Sequence, residues 1–153
     1  IKGVPYESAG VIDVGLSPNK EGGMHVDIKR GKPSVTEYRV VENFNQFSLI
    51  EAVILTGRTH QIRVHFQFIG HPLAVDAVYG KRPAFFLSEV KKKKYRSSKN
   101  QEERPLMKRT TLHSVKLSLD HPKTAERMTF QIELPKDFSA LLKQLRRWNF
   151  FNG

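Results

Sequence analysis

The sequence predicts an α+β fold, a mostly antiparallel mixed sheet with flanking helices, and three patterns predict it. Two β-branched and aromatic runs meet at a short turn over 43–46. Two further alternating runs lie between 112 and 133. Two stretches, 59–69 and 138–145, carry apolar residues at helical spacing. With 153 residues, 39% of them hydrophobic, the chain is long enough for one domain with its own core.

Taken in order, Val11-Ile12-Asp13-Val14 predicts a short strand, and the turn formers Ser17-Pro18-Asn19 and Gly22-Gly23 after it predict a loop-rich stretch. Thr36 to Glu42 and Phe47 to Leu55 are rich in β-branched and aromatic residues, and Asn43 to Gln46 carries turn chemistry, so the pair reads as a hairpin. In its second strand Phe47, Leu49, Val53 and Leu55 fall on one face and Ile50, Ala52 and Ile54 on the other. Both faces therefore look covered, and the strand is expected at the centre of its sheet.

Thr56-Gly57 breaks this strand, and a helix over Arg58 to Ile69 follows from the stripe Ile62, Phe66, Ile69, with Gly70 ending it before Pro72. Lys91 to Arg109 holds nine basic and two acidic residues with few apolar ones, which predicts a mobile basic loop. Leu112 to Leu119 and Arg127 to Glu133 alternate and predict two more strands, linked through Asp120-His121-Pro122. After Pro135, Phe138, Leu141, Leu142 and Leu145 predict a closing amphipathic helix, with Asp137 or Ser139 near its start.

Charge narrows the function. Lys and Arg number 26 against 15 acidic residues, a formal net charge of +11, which points to a polyanionic partner, nucleic acid first. The absence of cysteine excludes disulfides, thiolate metal sites and cysteine nucleophiles. No apolar run approaches the roughly 20 residues of a membrane span, and Ile1-Lys2-Gly3-Val4-Pro5 lacks a signal-peptide core, so a soluble, cytoplasmic protein without a membrane partner is expected. The sequence opens without an initiator methionine and in what resembles the end of a strand, from which a fragment or processed chain is expected.

The chemistry-bearing segment is Gly57-Arg58-Thr59-His60-Gln61-Ile62-Arg63-Val64-His65, which sets two arginines, two histidines and a glutamine at the start of a helix fed by a strand. In an arbitrary basic protein such groups often do no more than cap the helix and face solvent. A zinc site fails on geometry, because residues five apart, like His60 and His65, sit roughly 140° apart around a helix, and no Glu follows His60 as HExxH requires.

This segment, with Ile69-Gly70-His71-Pro72-Leu73 and Asp76 to Gly80 after it, resembles the signature GRTHQIRVH, IGHPL, GDxxYG of RluA-type RNA pseudouridine synthases. Gly10-Val11-Ile12-Asp13 is similar to their GxID, Leu112-His113-Ser114 to their LHA, and His121-Pro122 with Leu134 to Phe138 to their closing segments. Ala74-Val75, where glycine usually precedes the aspartate, and Phe66 depart from the pattern.

The resemblance implies that residues 1–153 are the carboxy-terminal portion of a pseudouridine synthase catalytic domain, with a basic loop at 91–109. In that family an aspartate of an HRLDxxTSG motif attacks the target uridine, the base rotates, and it rejoins the sugar through carbon, with no cofactor. The implied catalytic residue here is Arg63, pairing with that aspartate; an arginine there keeps a carboxylate ionised and offers it a fixed fork of donors. Arg58, Thr59, His60 and Gln61 would line the site or meet RNA phosphate and flipped base, or serve the structure. Lys92, Lys93 and Arg96 would clamp phosphate, or belong to a solvated loop.

No HRLDxxTSG occurs in the 153 residues, and none of Asp13, Asp27, Asp76, Asp120 or Asp137 stands in such a context. The tyrosine that stacks on the base in this family is likewise expected upstream. Asp76 and Tyr79 are read mainly as a structural corner, and Trp148, Phe150 and Phe151 as docking the closing helix on its own domain. The function so implied is isomerisation of uridine to pseudouridine in ribosomal or transfer RNA, this chain alone being inactive; the alternative is a catalytically inactive basic module that binds structured RNA. No metal is expected.

Overall fold

The computed structural model describes residues 1–92, 95 and 102–148, and the fold is α+β with antiparallel pairing throughout the described sheets. Strand β1 (Ala9–Asp13) pairs with β4 (Val35–Asn43), which pairs with β5 (Ser48–Ile54), giving the order β1-β4-β5. Short strands β2 (Leu16–Pro18) and β3 (Met24–Val26) form a second sheet, helices α1 (Gln61–Phe68) and α2 (Leu87–Lys91) follow, and β6 (Lys116–Asp120) and β7 (Arg127–Gln131) form a third sheet before α3 (Lys136–Trp148).

The expected hairpin is present as β4 and β5, its turn closed by Phe44 N–H donating to Phe47 O at 2.8 Å and by Ser48 Oγ donating to Asn43 Oδ1 at 2.9 Å. The strand expected at the centre of the sheet is instead at its edge. β4, which alternates buried Thr36 with exposed Glu37 and Arg39, is the central one, and Val53, Ile54 and Leu55 of the second strand stay about half exposed. Apolar residues on both faces of a strand report what could cover it, not how many strands lie beside it.

α1 begins later than the periodicity suggests because the chain spends Thr56 to His60 in a turn, with His60 left-handed at φ 54° and no side-chain cap. Its end follows the sequence reading. Gly70, at φ 83°, and His71 return their N–H groups to Gln67 O (3.0 Å) and Phe66 O (2.8 Å), the paired closure that satisfies the last carbonyls of a helix.

The main core gathers Phe44, Phe47, Val75, Phe85 and Met107 against Leu141, Leu142 and Leu145 of α3, with Trp148 packed at its margin. Each such side chain contributes about 1.5–3 kcal/mol on burial. Trp148 thus docks α3 on its own domain, while Phe150 and Phe151 lie outside the described residues.

In the basic stretch 91–109, the described residues from 102 onward are tied to the domain, and 93, 94 and 96–101 lie outside the described residues. Met107 is buried and bridges Phe85, Glu103 accepts the Ser88 N–H at 2.8 Å, and Arg109 holds Asp137 at 2.7 and 2.8 Å. No helix among the described residues is long and apolar enough to cross a membrane.

Candidate active site

α1 carries Arg63 at the centre of the site. Its Nε donates to Asp76 Oδ2 at 2.7 Å and its Nη2 to Asp76 Oδ1 at 2.9 Å, a two-pronged pair with a carboxylate that is fully buried. Asp76 also accepts the N–H groups of Val78 and Tyr79, both at 3.0 Å, so its side chain builds the corner that turns the chain at 76–80. Burial pushes the Asp76 carboxyl up, but the Arg63 guanidinium and the two N–H groups outweigh it and hold it below the usual value. The pair is ionised, and removing one partner of a buried pair costs on the order of 3–5 kcal/mol. The Nη1 of Arg63 has no partner among the described residues, so one edge of the fork is taken and the other is open.

Tyr79 completes the corner. Its ring lies under the Arg63 guanidinium, 4.7 Å from the centroid. Its hydroxyl accepts the Met24 N–H at 2.9 Å and meets His60 Nδ1 at 2.8 Å. The hydroxyl can give its proton to Nδ1 or accept an Nδ1–H beside the Met24 N–H, so this contact holds the ring in place and fits either neutral tautomer. Burial first and the Arg63 charge second lower the His60 pKa, with Asp76 opposing, so the ring is neutral near pH 7. Strand β3 is thereby tied through one tyrosine to the helix start.

Two motif residues lie in the interior: Gln61, expected to line the site, meet RNA or serve the structure, and His65. Gln61 is buried, and all its capacity is used: Oε1 accepts from Thr56 Oγ1 (2.9 Å) and Arg58 N–H (3.0 Å), while Nε2 donates to Val35 O (2.9 Å) and Thr36 Oγ1 (3.0 Å). It has no donor or acceptor left for RNA and acts as a rivet between β4 and the turn into α1. His65, also fully buried, has its Nε2 3.2 Å from Val14 O and its Nδ1 2.9 Å from Thr36 Oγ1, and burial lowers its pKa. A neutral ring donating from Nε2 satisfies both contacts.

Arg58 and Thr59 are exposed beside this site, with Arg58 Nε donating to Pro33 O at 3.2 Å. Lys92 is exposed at the end of α2, which packs on α3, and shares no bond with the motif among the described residues. Lys93 and Arg96 lie outside the described residues. Sequence reasoning missed Asp76 and Tyr79 as direct partners of Arg63 and His60; their place three residues apart in a turn was visible, but the side chains they would meet were not.

Comparison with known proteins gives the family and the fold. The family model for RNA pseudouridylate synthases matches residues 4–68. The chain is 43% identical over 116 residues to the ribosomal large subunit pseudouridine synthase D of Haemophilus influenzae, covering 76% of this chain and 34% of that protein. To an RNA pseudouridine synthase of Bacillus subtilis it is 34% identical over 148 residues, covering 96% of this chain and 42% of that one. The solved structure of human RNA pseudouridylate synthase domain containing 1 superposes with a TM-score of 0.62 at 26% identity, covering 95% of this chain and 62% of the human one.

The chain belongs to the RNA pseudouridylate synthase family. Its motifs and relatives are those of the RluA type. It spans less than half the length of the curated relatives named here.

Proposed function

We propose that these residues form the carboxy-terminal portion of the catalytic domain of an enzyme that isomerises uridine to pseudouridine in structured RNA. The observation that carries this reading is the half-used fork of Arg63. Asp76 fixes the guanidinium from one edge, and the open Nη1 edge is presented for a second carboxylate, the nucleophilic aspartate of an HRLDxxTSG segment that the 153 residues do not contain. A guanidinium pinned in this way would keep that aspartate ionised and aimed without reorganising when substrate arrives.

The names of the relatives point to ribosomal RNA of the large subunit as substrate, with transfer RNA the other structured RNA to assay, and the cytoplasm is the compartment that goes with either. Arg58 and Thr59 are exposed and His60 half-buried beside Arg63, and all three remain the residues proposed to meet the RNA; Lys92, Lys93 and Arg96 remain proposed phosphate contacts. By itself the chain is proposed to be inactive, for want of the nucleophile.

The test uses the full-length protein that supplies the HRLDxxTSG segment. Alanine at 63 alone would strand the buried Asp76, so the informative variant is Arg63→Met with Asp76→Asn, which removes both charges together. Conversion of uridine in bulk cellular RNA should fall about 10²–10³-fold while the protein stays folded. A folded double variant that converts at the normal rate sinks the reading, and retained RNA binding with no conversion by the unaltered protein favours a binding module instead.

A further inference from the structure

The turn between β3 and β4 carries a cationic surface that the reading above does not use. Lys29, Arg30 and Lys32 are exposed there, and Ile28 is 78% exposed at its tip. The turn is nonetheless rigidly built. Asp27 Oδ1 accepts the N–H groups of Lys29 (3.2 Å) and Arg30 (2.9 Å), and Oδ2 accepts from Ser17 Oγ (3.0 Å). The Gly31 N–H donates to Asp27 O at 2.9 Å, and the backbone of Lys32 pairs in both directions with Leu16 at 2.9 and 3.0 Å. A Cβ at Gly31 would come within 2.4 Å of Asp27 O and of Gly15 C, so only glycine lets the two segments cross.

All these bonds use backbone groups of Lys29, Arg30 and Lys32, which leaves their side chains to solvent. Among the described residues neither they nor Arg58 has an ion-pair partner, whereas Arg39, Arg63, Arg82, Arg109, Arg127 and Arg146 each have one. The carboxylate within the turn, Asp27, is turned onto the backbone; the Arg30 N–H lowers its pKa most, slight burial opposes, and Ser17, Lys29 and the neighbouring His25 add to the lowering. The turn also abuts the catalytic motif, because Pro33 O accepts from Arg58 Nε.

We propose that the turn 27–33, together with Arg58, is a docking surface for the phosphate backbone of the RNA substrate. It rests on the reading that RNA is what this protein binds. Lys29, Arg30 and Lys32 take phosphates flanking the target nucleotide, and Ile28 lays its apolar side chain against a base or ribose between them. A turn already held in shape loses little conformational freedom on binding, and cations without partners give up only water and counterions. This places RNA contact at β3–β4 and the helix start, not only on the stretch after α2.

The experiment measures binding of the 153-residue chain to a labelled stem–loop RNA over a salt series, and to the same RNA with its loop uridines replaced by cytidine. The triple variant Lys29→Ala, Arg30→Ala, Lys32→Ala should weaken binding about tenfold and flatten the slope of log Kd against log salt by about 2, each lost phosphate contact being worth roughly 0.7–0.9. Ile28→Ala should weaken binding about twofold with the slope unchanged. A matched triple at the exposed Lys116, Lys123 and Lys136 removes the same charge elsewhere and should change far less.

Equal losses from both triples, an unchanged Kd and slope for the first, or no binding by the unaltered chain each overturns the proposal. The cytidine loop should bind as well as the uridine loop, since phosphates are what the turn reads; a strong loss there also overturns it. The catalytic reading fails separately, on uridine conversion by the full-length protein with the turn left intact.

Discussion

At the scale of single residues, His60 shows how geometry sets chemistry that sequence leaves open. Tyr79 accepts the Met24 N–H and meets His60 Nδ1, burial and the Arg63 charge lower the His60 pKa, and His60 Nε2 has no partner among the described residues. A neutral ring adds no second positive charge beside the Arg63 fork. Tyr79→Phe removes the hydroxyl that His60 Nδ1 meets. In nitrogen NMR of the chain, the ratio of the two His60 tautomers should change in this variant, and its pKa should move. An unchanged ratio in the phenylalanine variant would show that the hydroxyl does not set it. Arg63 was legible from the motif because its neighbours are contiguous in the chain. Its partner was not, since Asp76 lies thirteen residues away across a turn, and no periodicity says which carboxylate a helix arginine will reach.

At the scale of elements, α1 is positioned by its first residue. Gln61 ties Val35 and Thr36 of β4 to Thr56 and Arg58 of the turn, and each of those groups would lose one hydrogen bond if the amide were lost. Gln61→Leu, nearly the same size, should therefore cost about 2–3 kcal/mol in denaturant unfolding, with little change in the unfolding slope. A cost below about 0.5 kcal/mol would mean that water or a shift of α1 satisfies the same groups. The family resemblance alone leaves open whether the glutamine lines the site, meets RNA or serves the structure. Its interior role depends on contacts more than twenty residues away. β2 and β3 escaped notice for another reason: three residues give at most one alternation, too little for a period-two pattern, and the glycines between them read equally well as loop.

At the scale of the whole molecule, charge and apolar surface are unevenly spread. In the third sheet Leu117 faces Phe130 and Leu119 faces Met128, and Val115 and Ile132 extend the same face; all but Met128 are more than a third exposed. Contiguous apolar surface of this kind marks an interaction site or an association hazard. The 153-residue chain on its own should self-associate with rising concentration, and Leu117→Lys with Phe130→Lys should shift it toward monomer in sedimentation velocity. Monomers of the unaltered chain at every concentration would show that the face is tolerated by water or folded over. The fold class was readable from the strand and helix patterns, whereas exposure depends on what else packs on each face, which no local pattern records.

The sheet order β1-β4-β5 has one further consequence. Ile1 O accepts the Ser48 N–H on the outer side of β5, and Leu55 N–H donates inward to Val35 O, so along the strand the amides of Leu49, Glu51 and Val53 turn toward β4 and those of Ile50, Ala52 and Ile54 turn away from it. Beyond Ser48 nothing among the described residues pairs with that outer side. In heavy water this single strand therefore keeps two clocks: hydrogens on alternate residues are replaced quickly, while their immediate neighbours wait for the sheet to open.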